Sequence, residues 1–109
     1  MITPDELPDD PGFHYLATGG VCGVFHRVPW PNVWMAHYGV KPEAWGKTKA
    51  PALHILRTFW DEEAPELIIG WTKADNRAAL AFAKRLGFTV HGEMKLPTGN
   101  VIEQSWRPT

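Results

Sequence analysis

DNRAALAFAKRLGFTVHGE, residues 75–93, is the stretch from which the rest of the chain can be read. It has the pattern of a capped helix, a glycine stop and an apolar strand. Asp75 or Asn76 can accept hydrogen bonds from the free N–H groups of a first turn. Ala79, Phe82, Ala83 and Leu86 recur at three- and four-residue spacing, which puts them on one helical face. Lys84 and Arg85 fall in the last turn, where the helix dipole favours cations, and Gly87 can take the left-handed stop. Phe88-Thr89-Val90 then begins a strand.

Working outward, each flank supplies further elements. Upstream, Leu67 to Thr72 is a short, nearly all-apolar run, the pattern of a strand covered on both faces. Before it, Thr48 can cap a helix whose first turn accommodates Pro51 and which ends near Glu63, because Pro65 cannot continue it. Leu53, Leu56, Phe59 and Trp60 give that helix a wide apolar stripe, with His54 and Arg57 off it and solvated.

Nearer the N-terminus, Phe13–Thr18, Val21–Val28 and Val33–Val40 are strands joined by turns at Gly19-Gly20 and Pro29-Trp30-Pro31-Asn32. Along the third, Trp34, Ala36, Tyr38 and Val40 share one face, and Met35, His37 and Gly39 the other. Downstream, Val101–Arg107 follows a turn at Pro97-Thr98-Gly99-Asn100. Residues 1–11, acidic and proline-rich, read as an irregular arm on a single domain, residues 1–109.

The element order is β-β-β-α-β-α-β-β, an α/β (α+β) chain with a mixed, largely antiparallel sheet flanked by two main helices. The connection from strand three through a helix to strand four is a crossover, so those two strands should run parallel.

Composition narrows the function classes. Hydrophobic content of 44% with 21% charged residues suits a globular domain. A net charge of −1 argues against a general nucleic-acid binder. No apolar run approaches membrane-spanning length and the start is no signal peptide, so a cytoplasmic location is the expectation. The single cysteine, Cys22, excludes an internal disulfide and a multi-cysteine zinc site, and reads as a small packed residue. His14, His26, His54 and His91 have no metal-ligand spacing. Six tryptophans suit packing in a small core, or an aromatic-lined pocket or partner surface.

The order of residues in the opening stretch, an Asn, then alanines, a Leu-Gly-Phe closure and a strand ending Gly-Glu, resembles the acyl-CoA-binding core of the GNAT (GCN5-related N-acetyltransferase) superfamily. The element order matches that fold from its second strand onward. The resemblance implies binding of acetyl-CoA and transfer of its acetyl group to an amine acceptor.

It also implies a pyrophosphate-binding loop between Val33–Val40 and the Thr48 helix, where backbone N–H groups and the positive dipole end favour phosphate. Val40, Trp45, Gly46, Lys47, Thr48, Lys49 and Ala50 would form that loop, and Asn76 would contact the pantetheine arm or simply cap its helix. Three loop positions that the family fills with Arg or Gln, Gly, and Gly or Ala are here Trp45, Thr48 and Ala50, of which only Ala50 conforms. The alternative is that Trp45-Gly46 is a plain turn and Thr48 a plain cap.

The tyrosine that protonates the leaving thiolate in many relatives falls here on Ala83. His37 is the first candidate for a general base, since imidazole titrates near neutral pH, with Tyr38 next and Glu93 and Glu103 behind. Residues 1–11 stand where relatives carry a strand and helices that wall the acceptor site. The acceptor side is therefore expected to be open, or completed by another chain, including a second copy. The competing reading is a non-catalytic GNAT scaffold for assembly or interaction, of a kind met among tailed-phage assembly proteins. A small-ligand binding protein using the same cleft is the third.

Overall fold

Strand pairing begins at two adjacent glycines. Gly19 and Gly20 both have positive φ, +58° and +78°, the combination a two-residue type I′ hairpin turn requires. They join β1 (His14–Thr18) to β2 (Val21–Arg27) with Thr18 opposite Val21. A second hairpin leads into β3 (Val33–Val40), antiparallel to β2 with Val24 opposite His37. These facts come from a computed structural model that describes residues 12–108; the expected arm, residues 1–11, lies outside the described residues.

After β3 the chain makes a short 3₁₀ turn at Pro42–Ala44 and enters α1 (Lys49–Glu63). It returns as β4 (Leu67–Lys73), then α2 (Arg77–Leu86), β5 (Thr89–Leu96) and β6 (Gly99–Trp106). The strands form one sheet in the order β1-β2-β3-β4-β6-β5. β3 and β4 run parallel, as the crossover requires, and the other neighbours are antiparallel. The element order and the mixed sheet are those expected from the sequence.

Both helices pack on one face of the sheet. A side chain on Gly23 would come within 2.7 Å of Ile55, so the glycine is what lets α1 lie close over β2. Phe59 sits at the centre, stacked on Phe25 at 3.9 Å between ring centroids and edge-on to Trp34 at 5.0 Å. Trp106 joins the second helix to the same core, its indole N–H donating to the Leu86 carbonyl at 2.9 Å.

The buried line of α1 runs through Ala52, Ile55, Leu56 and Phe59, with Leu53 and Trp60 packed at its margin. A stripe chosen by side-chain bulk alone therefore lies slightly to one side of the true contact, because the small Ala52 is enclosed completely. His54 and Arg57 are exposed, as expected. Thr48 occupies the cap position, but its backbone is helical (φ −100°, ψ −19°) and its side chain makes no capping bond. A cap residue reaches back to the first turn from an extended backbone, which Thr48 lacks. At the other end Ala64 adopts a left-handed conformation (φ 43°), with its carbonyl held by the Asn32 amide at 2.9 Å.

α2 has both of its expected ends. The Asn76 side chain accepts from the Ala79 N–H at 3.1 Å. Gly87 has φ 95°, and Phe88 N–H→Ala83 O (3.0 Å) with Gly87 N–H→Lys84 O (3.1 Å) completes a Schellman closure. β4 is covered on both faces only in its first half. Ile68, Ile69 and Gly70 are buried, and Trp71 beyond them is exposed.

Candidate functional site: an opening between the parallel strands

The pairing of β3 with β4 covers Val33↔Leu67, Trp34↔Ile68 and Met35↔Ile69, and there it stops. β3 continues to Val40 and β4 to Lys73 without pairing to each other, so the sheet is split at their C-terminal ends. A cavity of about 260 Å³ occupies the split. Ala36, His37 and Tyr38 wall it from β3, Gly70 to Lys73 from β4, and Asn76, Ala79, Phe82, Ala83 and Leu86 from α2. Phe88 and Gln104 also line it. Gln104 is almost fully buried and donates to the Thr72 hydroxyl at 2.9 Å, so these two polar side chains satisfy each other across β4 and β6.

A second cavity, about 380 Å³, lies between the start of α1 and α2 and is lined by Trp45, Gly46, Thr48, Lys49, Ala78 and Arg85. The two openings share α2: Ala79 and Phe82 look into the first, Ala78 and Arg85 into the second. Two cations therefore stand beside the N-terminal end of α1, where unpaired first-turn amides and the helix dipole favour an anion. Pro51, lacking an N–H, contributes no donor there. Space above Gly46 is open, since nothing lies within 4 Å of where its Cβ would be.

The residues singled out in the sequence are thus distributed. Trp45, Gly46, Thr48 and Lys49 line the second cavity, and His37, Tyr38 and Asn76 the first. Val40 lines neither; its side chain is enclosed in the core. Lys47 and Ala50 are exposed close by without lining either cavity. Thr48 is only 9% exposed, so little of its side chain stands in the path of a ligand. Neither Trp45 nor Trp71 plugs an opening: they are 59% and 48% exposed on the rims. Trp71, Arg85 and Gln104 are wall residues that sequence reading missed. Arg85 carried a signal, but it was absorbed by its place at a helix C-terminus.

The two candidate bases are in different circumstances. The Tyr38 hydroxyl donates to the Ala52 carbonyl at 2.9 Å, and burial pushes its pKa well above the ordinary phenol value. That bond ties β3 to α1, and a phenol so held is a poor proton acceptor. His37 alternates to the opposite face of the sheet, away from the helices, where its Nε2 lies 2.9 Å from Nε2 of His26. Burial, and secondarily the charge of His26, hold its pKa below the ordinary value, so the ring is neutral and able to accept a proton at neutral pH. Glu93 is tied to Asn100 at 2.6 Å. Cys22 is half-buried, and burial raises its pKa, which makes it a weak nucleophile.

A mixed sheet split at its parallel pair, with a helix start beside the split, is the architecture of an acyl-CoA-dependent N-acetyltransferase fold. Solved structures match accordingly. A GNAT-family acetyltransferase from Bacillus anthracis superposes with a TM-score of 0.68 at 17% identity, over 79% of this chain and 57% of that one. A ribosomal-protein-S5-alanine acetyltransferase from Vibrio fischeri gives 0.65 at 18%, over 81% and 56%. A microcin C7 self-immunity acetyltransferase, solved in complex with acetyl-CoA and AMP, gives 0.65 at 18%, over 80% and 53%. The chain therefore spans somewhat more than half the length of the structures it matches. No curated protein sequence matches it significantly. A profile of the acetyltransferase (GNAT) domain matches residues 7–89, and the chain belongs to that family.

Proposed function

We propose that the protein binds acetyl-CoA and transfers its acetyl group to an amine. The observation that carries this reading is the end of β3–β4 pairing at Met35↔Ile69, with a cavity where the next pairs would be. Unpaired strand backbone there can hydrogen-bond an extended pantetheine arm as a neighbouring strand would. Lys49, Arg85 and the first amides of α1 would hold the phosphates at the second cavity, with the exposed Trp45 ring beside them. Asn76 would meet the arm where α2 starts while its Oδ1 caps the helix.

Acetyl-CoA supplies an acyl group on a thiol: the amine lone pair forms the C–N bond as the C–S bond breaks and sulfur keeps the electron pair. The chain's own part is to place the acceptor and to manage its protons. His37, neutral and lining the opening, takes a proton from the incoming ammonium so that its lone pair is free. Ala83 offers no proton to the leaving sulfur, so that proton comes from His37 or from water.

Calorimetry with acetyl-CoA tests the reading. Micromolar binding is expected, falling at least roughly tenfold when Lys49 and Arg85 are both replaced by Glu, as loss of charge-assisted phosphate contacts requires. Ala79→Trp, which fills the first cavity from a partly exposed position, should abolish binding without unfolding the chain. Thiol release against a panel of amines then reads transfer. A folded protein that shows no binding at millimolar acetyl-CoA sinks the proposal.

A further inference from the structure

The face of the sheet turned away from the helices carries a histidine pair that the acetyl-transfer reading uses only by half. His26 and His37 meet Nε2 to Nε2 at 2.9 Å, their rings nearly parallel (14°) with centroids 5.0 Å apart. Phe13 stacks on the other side of His26 at 4.8 Å. A bond between two ring nitrogens needs one proton, since two N–H groups would collide and two bare nitrogens would repel.

Which ring supplies that proton is settled one bond further out. His26 Nδ1 lies 3.2 Å from the Arg27 carbonyl, an acceptor only, so that nitrogen carries a hydrogen. A neutral His26 then has a bare Nε2, and the shared proton belongs to His37 Nε2. Nδ1 of His37 is left as the unprotonated nitrogen.

We propose that His26 is a positioning residue: it fixes His37 in the Nε2–H tautomer, so that Nδ1 is the atom that accepts the proton of the amine. This rests on the acetyl-transfer reading given above. Proton balance is simple. The ammonium loses one proton to His37 Nδ1, and the resulting imidazolium still donates from Nε2 to His26. The pair holds a single positive charge, and a second is opposed by the repulsion of facing N–H groups. By strand alternation and register, the other titratable groups on this face among the described residues are Tyr15 of β1, Cys22 of β2, Lys73 of β4, Glu103 of β6 and His91 of β5, whose ring is bonded to the Ser105 hydroxyl. The two rings bond to each other and, through His26 Nδ1, to the Arg27 carbonyl.

Two measurements test the role. Nitrogen-resolved NMR of the histidine rings in the full chain, treated with EDTA and at neutral pH, should show His26 protonated at Nδ1 and His37 at Nε2. The opposite tautomers overturn the proposal by themselves, whatever the activity. With an amine acceptor, His26→Phe should lower kcat roughly tenfold or more, part of the range for a misplaced general base, and leave KM for acetyl-CoA unchanged. His26→Gln, whose side-chain carbonyl can accept from His37 Nε2–H, should recover most of the loss. A folded His26→Phe protein with unaltered kcat, or one that Gln does not rescue, overturns the assignment. Absence of turnover in the unaltered chain overturns the acetyl-transfer reading and this role together, whereas reversed tautomers remove this role alone.

Discussion

Asn76 does two things with one side chain. Its Oδ1 caps α2, and the same residue lines the opening between the strands. Asn76→Ala should lose about 1 kcal/mol of stability, the ordinary worth of an N-cap. In a domain of this size that is a fall of roughly 4–8 °C in Tm, readable by thermal denaturation. Asn76→Asp keeps the cap and adds a charge the dipole favours, so its Tm should hold while acetyl-CoA affinity falls with the lost amide donor. Two buried tryptophans make a similar contrast. Trp106 N–H is bonded to Leu86, whereas Trp34 N–H has no hydrogen-bond partner among the described residues and its ring lies under the Arg27 guanidinium at 4.5 Å. Trp106→Phe should therefore cost about 1 kcal/mol more than Trp34→Phe in urea denaturation, since it alone strands a carbonyl.

At the scale of elements, close approach and backbone hand decide which small residues can change. Gly23→Ala drives a methyl group to within 2.7 Å of Ile55 and should destabilise by about 1–3 kcal/mol, as overpacking does. Ala64 has the reverse problem, a side chain in left-handed backbone at the end of α1. Ala64→Gly should stabilise by several tenths of a kcal/mol, the relief of strain exceeding the added freedom of the unfolded chain. Chemical denaturation of the two variants in parallel reads both signs. The elements themselves were legible because their signals are local: alternation in β3, the Asn76 cap and the Gly87 stop lie within a few residues of what they specify. The site was legible only in part. Trp45 and Lys49 stand where a helix-start rule puts them, but Trp71 and Gln104 reach the opening through strand register, which no single stretch encodes. Thr48 misled because residue type suggests a cap and only its backbone angles deny it. The His26–His37 contact joins residues eleven apart across a hairpin, and neither has a neighbour in sequence that announces it.

For the whole molecule, pH acts through the lowered pKa of His37. Its folded value lies below the ordinary 6.5, so the unfolded chain takes up a proton first as pH falls. Stability from this group is complete above 6.5 and is lost on acidification through the window between 6.5 and the folded value. Urea midpoints measured from neutral to mildly acidic pH should fall, and His37→Phe should flatten that dependence over the same window. A wild-type midpoint that rises on acidification contradicts the assignment.

Because only three residue pairs join β3 to β4, the sheet has a seam, with β1-β2-β3 on one side and β4-β6-β5 on the other. Local openings take the path that breaks fewest bonds, so this line should breathe before any hairpin does. Amide hydrogen exchange should then find Trp34, Met35, Ile68 and Ile69 less protected than their burial suggests. A ligand lying along the seam would act as a suture, slowing exchange on both banks together by the free energy of its own binding. The width of the gap is in that sense a thermally sampled coordinate, and whatever fits it also closes the molecule.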